Sequence, residues 1–200
     1  MAPKGKGARI FIKDEACNPS GSFKARRAAS AVYYAKKHGY KGVLTATSGN
    51  YGAAVASQAA MQGLKCIVVQ ECYDSKMIGQ PEILEKQRAC ESLGAEVVQL
   101  TVGPELFYKF LLLLEETGYF NASFGIAGVE TLGYELAMQF REKEGRDPDV
   151  VVATHAGGGN ITGTARGLIK AGAENVKVVG ASVDLSGLHM ASDHAFNKKS

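Results

Sequence analysis

Short apolar, β-branched runs alternate along this chain with longer segments whose apolar residues recur every three or four positions. The runs read as strands over 41–47 (KGVLTAT), 64–70 (LKCIVVQ), 95–100 (AEVVQL), 149–155 (DVVVATH) and 176–183 (VKVVGASV). Helices are expected between and around them, over 22–38, 52–62, 81–93, 104–117, 128–144 and 163–171. Gly39, Gly63, Gly94, Gly118, Gly145 and Gly172 each follow the last periodic residue of one of these helices. Glycine supplies a left-handed helix end without steric penalty, so these positions read as stops. The alternation implies βαβ units, and hence an α/β chain whose parallel sheets are covered on both faces by helices. No linker of low complexity and no long-period repeat interrupts it.

With 46% of 200 residues hydrophobic, the chain can bury one sizeable core or two small domains sharing an interface. The net charge of +3 comes from interspersed acids and bases, and the one dense basic cluster is Lys4, Lys6 and Arg9. That pattern is no nucleic-acid footprint. No apolar run approaches the length that spans a bilayer or forms a secretory core, so a cytoplasmic protein is expected. Cys17, Cys66, Cys72 and Cys90 form no CxxC pair and have no histidines at ligand spacing. Neither a metal site nor a disulfide framework is expected, and the thiols read as reduced.

Two strand-to-helix junctions and one lysine motif carry the chemistry. Ligands of open parallel sheets collect at the carboxyl ends of strands, where glycine admits a ligand to the backbone and helix starts offer unpaired N–H groups. "AGGGNITG", residues 156–163, suits a phosphate; a flexible turn is the competing reading. It lacks the Gly-Lys-Ser/Thr of a nucleoside-triphosphate loop, and Thr162 stands where a dinucleotide fingerprint needs glycine. "TSGNYGAA", residues 47–54, sets Ser48, Asn50 and Tyr51 among glycines; it can hold a carboxylate, or merely cap a helix. In "NPSGSFK", Lys24 falls near a helix start, where the dipole and free N–H groups disfavour its charge. That placement suits a nucleophilic amine, although an ordinary first-turn lysine would look the same.

The lysine within "NPSGSFK", then "TSGNYG", then "GGGN", in that order on successive junctions, resembles the fold type II pyridoxal-phosphate enzymes. That superfamily includes threonine synthase, cysteine synthase, serine dehydratase and the tryptophan synthase β chain. The resemblance implies two three-layer α/β/α lobes with mostly parallel sheets. Residues 17–122 would form the smaller lobe, and residues 1–16 with 123–200 part of the larger, phosphate-binding one. It implies pyridoxal 5'-phosphate as cofactor and Lys24 as the residue that holds it as a Schiff base and acts as base at Cα. Asn50 would hydrogen-bond the phenolic oxygen. Ser48, Gly49, Asn50, Tyr51 and Gly52 would grip the substrate carboxylate, and Gly157, Gly158, Gly159, Asn160 and Thr162 would cradle the phosphate. Such enzymes also carry a Ser, Thr or Cys against the pyridine nitrogen, and none is identifiable after Asn160. A partial chain is therefore expected, or one completed from elsewhere. The link at 121–135 is shorter than in relatives.

Stretches outside these motifs, among them "VVQECYDSK", "QLTVGPELFY" and "LLEETGYFNAS", are similar to the β subunits of 2-amino-4-oxopentanoate thiolases, a branch that serves anaerobic ornithine breakdown. That similarity implies an acyltransferase converting 2-amino-4-oxopentanoate and coenzyme A to acetyl-CoA and alanine, with a small α subunit as partner. Homo-oligomers are usual in the superfamily. The alternative is a β- or γ-replacement or elimination enzyme of the threonine synthase or cysteine synthase type. None of the four cysteines has an activating neighbour in sequence, and His38, His155, His189 and His194 read as structural or surface positions.

Overall fold

The computed structural model describes residues 7–47, 49–123 and 125–182. Ser48 and the ends 1–6 and 183–200, assigned above to the carboxylate loop and the larger lobe, lie outside the described residues. The order is α1 (Lys24–Lys37), β1 (Gly42–Thr47), α2 (Asn50–Gln62), β2 (Lys65–Tyr73), α3 (Pro81–Ser92) and β3 (Glu96–Thr101). There follow α4 (Glu105–Thr117), β4 (Phe120–Asn121), α5 (Ala127–Glu144), β5 (Val150–Thr154), α6 (Gly159–Lys170) and β6 (Lys177–Ala181). Every expected strand and helix is present. The six stop glycines adopt φ between 61° and 81°, the left-handed conformation that ends a helix. β4, only two residues long, gives too little pattern to be read from sequence.

The strands form two parallel sheets, one ordered β3-β2-β1-β4 and one pairing β5 with β6. In the larger sheet successive residues face opposite sides. Val43 and Val68 join Val32, Ala35, Ala54, Val55 and Cys90 from α1, α2 and α3. Leu44, Ile67 and Val69 join Leu106 and Phe110 of α4 on the other side. Three layers result, as expected for strands that read as continuous apolar runs. The smaller sheet departs from the expectation. Its buried face packs through Val151 with Ala137 and Leu168, whereas Val152 on the other face is 67% exposed. Among the described residues this sheet is covered on one side only, because α5 and α6 lie on the same face.

α6 begins at Gly159, four residues before the expected 163, and α2 begins at Asn50 rather than 52. The sequence reading took glycine as a helix breaker, but Gly163 and Gly167 belong inside α6 for packing. A Cβ at Gly167 would lie 2.0 Å from the Glu130 carbonyl oxygen, and one at Gly133 2.0 Å from that of Thr164. α5 and α6 therefore touch backbone to backbone. At the other end of α5, a Cβ at Gly128 would lie 2.0 Å from the Arg26 carbonyl oxygen of α1. These close approaches make α1, α5 and α6 a single stack, which sets the start of α1 relative to the loop before α6. Among the described residues no helix is long and apolar enough to cross a membrane.

Candidate active site

Lys24 is the first residue of α1, with Phe23 as N-cap, no side-chain cap and no acid in the first turn. It is partly buried and no ion pair to it occurs among the described residues. Its amine is held below the ordinary lysine value, first by burial and then by the charge of Arg27, one turn further along the same face. The direction matches the sequence reading; burial and a neighbouring cation take the place assigned there to the helix dipole. In the turn before it, the Ser20 and Ser22 hydroxyls are buried without a hydrogen-bond partner.

At the β1–α2 junction Thr47 organises the loop. Its Oγ1 accepts from the Gly49 N–H at 2.9 Å and from the Gly52 N–H at 3.2 Å. Tyr51 is 6% exposed, its hydroxyl donates to the Ala122 carbonyl, and its ring lies under the Arg27 guanidinium at 4.2 Å. Gly52 is packed where a Cβ would meet Thr47 Cγ2 at 2.6 Å. The side chain of Tyr51 and the N–H groups of Gly49 and Gly52 are thus engaged within the fold. What the loop presents is the exposed Asn50 side chain and the N–H groups of Asn50 and Tyr51, which as first-turn residues have no intrahelical acceptor.

At the β5–α6 junction Gly158 takes φ 84° and caps α6, so the N–H groups of Gly159, Asn160 and Ile161 open the helix unpaired. The Thr162 N–H makes the first intrahelical bond, to Gly158. Asn160 turns its amide back to β5, donating to Thr154 Oγ1 at 2.9 Å. A Cβ placed on Gly157 meets nothing within 4 Å. Contacts within the protein do not require glycine there; room for a ligand does. A cavity of about 260 Å³ opens at this point, lined by Gly157, Gly158, Gly159 and Thr162 with Gly125, Ile126 and Arg27.

Of the expected residues, Gly157, Gly158, Gly159 and Thr162 are brought together around the cavity, with Asn160 in the same helix start. Lys24 lies on the helix that contributes Arg27, and Tyr51 lies beneath Arg27. The first turns of α1, α2 and α6 hold no acid, whereas α3, α4 and α5 carry Glu82, Glu105 and Glu130 there. Only the three helices that open at the site leave their positive ends uncompensated. The sequence reading missed Arg27, Thr47 and Thr154. Arg27 stood in the quoted motif, but only the tertiary contacts distinguish it from Arg26. The cysteines offer no nucleophile: burial pushes Cys66 up to about 12, and Cys72 and Cys90 up to about 11. Cys17 is exposed, and no metal-binding cluster occurs among the described residues.

An amine kept towards neutrality beside an anion cradle is what a phosphorylated aldehyde cofactor requires. The family model described as "Pyridoxal-phosphate dependent enzyme" matches residues 2–196. The chain belongs to this family. As a pyridoxal-phosphate dependent enzyme its cofactor is pyridoxal phosphate, and the residues fit that group: open cradle glycines, orphaned hydroxyls beside the lysine, and no acid in the cavity lining. The chain is 80% identical over 203 aligned positions to the 2-amino-4-ketopentanoate thiolase beta subunit of Acetoanaerobium sticklandii, covering 100% of this chain and 43% of that protein. It is 30% identical to the tryptophan synthase beta chain of Pseudomonas syringae pv. tomato, over 78% of this chain and 42% of that one. Among solved structures it resembles a bacterial-type threonine deaminase from T.th., with TM-score 0.70, 32% identity, and coverage of 84% of this chain and 52% of that one. The chain spans less than half the length of the curated relatives it matches.

Proposed function

We propose that this chain is the lysine-bearing part of a 2-amino-4-oxopentanoate thiolase β subunit. The protein would transfer the acetyl group of its substrate to coenzyme A and leave alanine. The observation that carries the reading is the 80% identity across the whole chain to a thiolase beta subunit. The half-buried, acid-free setting of Lys24 supports it. The activity is an acyl transfer in amino-acid breakdown, with ornithine degradation as its setting and the cytoplasm as its compartment. A small α subunit is the partner, and the assembly is a homo-oligomer of such units. Residues 17–122 form the smaller lobe and residues 1–16 with 123–200 part of the larger; the separate β5–β6 sheet supports that division.

When bound, pyridoxal phosphate supplies an electron sink for the charge that develops at the substrate's Cα. Lys24 holds the cofactor covalently through its amine and, when displaced by the substrate amine, removes and returns the Cα proton. Being partly neutral near physiological pH is what suits it to both tasks. The N–H groups of Asn50 and Tyr51, with Ser48 and the backbone at Gly49 and Gly52, form the loop that receives the substrate carboxylate. The Asn50 amide reaches the cofactor's phenolic oxygen. Gly157, Gly158, Gly159, Asn160 and Thr162 receive the phosphate at the start of α6. In the overall change the Cβ–Cγ bond breaks, the coenzyme A sulfur bonds to the acetyl carbon, and a proton replaces the acetyl group on Cβ. The raised thiols of Cys66, Cys72 and Cys90 support an acceptor thiol supplied from outside this chain.

The test uses the full-length protein with its α partner. Stoichiometric acetyl-CoA and alanine from 2-amino-4-oxopentanoate and coenzyme A is the expected result. Release of a leaving group from O-acetylserine or phosphohomoserine, with no CoA-dependent cleavage, overturns the assignment in favour of a replacement or elimination enzyme.

A further inference from the structure

We infer that Arg27 is an anion contact of the cofactor pocket, supplying the cation that its glycine cradle lacks. The inference rests on the reading that residues 157–160 receive the phosphate. Arg26 and Arg27 are neighbours in sequence with opposite surroundings. Arg26 is saturated by two carboxylates, Glu15 at 2.7 Å and Glu135 at 2.7 Å. Arg27 pairs with no carboxylate among the described residues, and its Nε is buried with no acceptor. A guanidinium in that condition is costly unless an anion arrives.

Its position is fixed from two sides. The guanidinium stacks on the buried Tyr51 ring at 4.2 Å, and one terminal nitrogen donates to the Ser123 carbonyl. Tyr51 is itself tied to Ala122, and Ser123 is held by Asn121 Oδ1 at 2.9 Å and by the Ala46 N–H at 3.0 Å. Arg27 then lines the cavity opposite Gly157, Gly158 and Gly159, where no other charged side chain contributes to the lining. A preorganised cation facing open helix-start N–H groups is suited to a dianionic phosphate, with which charge-assisted hydrogen bonds are the strong ones.

The experiment compares pyridoxal 5'-phosphate with pyridoxal, which lacks the phosphate, on the full-length protein. Binding is titrated for wild type, Arg27→Gln and Arg27→Met, with inorganic phosphate as competitor. The Met variant keeps an apolar stem against Tyr51 and decides the matter should the Gln variant not fold. Loss of Arg27 also alters the Lys24 amine, but that acts equally on both aldehydes, so their affinity ratio isolates the phosphate. The preference for the phosphorylated form should fall about 10- to 100-fold in either variant, with competition by inorganic phosphate weakened in parallel. A wild type that prefers the phosphorylated form, beside variants that keep that preference undiminished, overturns the role of Arg27 alone. A wild type that binds both aldehydes equally overturns the cradle reading with it.

Discussion

At the scale of single residues, chemistry here depends on what a side chain is denied. Lys24 has no acid to pair with, lies partly buried and faces Arg27, so its protonated form is disfavoured in the fold. Its folded pKa lies below the ordinary 10.5. The protein therefore bears a penalty at neutral pH that fades as pH rises from the folded value towards the unfolded one. Lys24→Met should raise the Tm of the cofactor-free full-length protein by about 2–4 °C near pH 7, with the gain shrinking above pH ~10. The same variant should lose the visible absorbance of covalently held cofactor. Thermal melts across pH settle this, and an unchanged or lower Tm at pH 7 would refute it. The lysine motif was legible in sequence because turn formers precede it. The setting of Arg27 was not, since Arg26 and Arg27 share one residue type and differ only in what packs beside them.

At the scale of elements, glycine serves two purposes that look alike in sequence. Within α5 and α6 it allows helices to touch; in the loop before α6 it leaves space. Gly167→Ala would drive a methyl against the Glu130 carbonyl, 2.0 Å away, and should destabilise the protein by about 1–3 kcal/mol or more. Gly157→Ala meets no protein atom within 4 Å. It should leave Tm within about 2 °C of wild type while weakening pyridoxal-phosphate binding about tenfold or more. Denaturant melts and cofactor titration of the two variants separate the roles; the reverse pattern would contradict them. The elements themselves were readable because apolar periodicity and helix-end glycines reinforce one another. The start of α6 was misplaced because interior glycines there answer to α5, a neighbour that no local pattern reveals.

Over the whole molecule, one ionic network ties the segment before the lysine motif to α1 and α5. Arg26 bridges Glu15 and Glu135, and Lys13 reaches Glu135 at 3.1 Å. The Arg26 hydrogen bonds lower the Glu135 carboxyl to about 2, with Lys13 assisting. A depressed carboxyl contributes stability above its unfolded pKa and loses it as pH falls towards the folded one. The contribution of Glu135 should thus be complete at pH 6 and gone near pH 2. Because Glu135 is 41% exposed, solvent screening keeps the effect small. Glu135→Gln should lower stability by less than about 1 kcal/mol at pH 6 and not at all near pH 2. A difference that persists at the acid end would show that the loss is not ionic. Asn160 and Tyr51, assigned to the site from sequence, prove to be tied to the fold through Thr154 and Ala122.

By itself the sequence determined the succession of strands and helices, the three junction motifs and the family, since periodicity, helix-end glycines and ordered motifs are local signals. Tertiary structure alone decided which glycines touch helices and which face open space. It also decided which of two adjacent arginines is already paired, and that the β5–β6 sheet is covered on one side. Each of these depends on atoms distant in the chain, and no run of residues encodes a contact with a partner it does not contain.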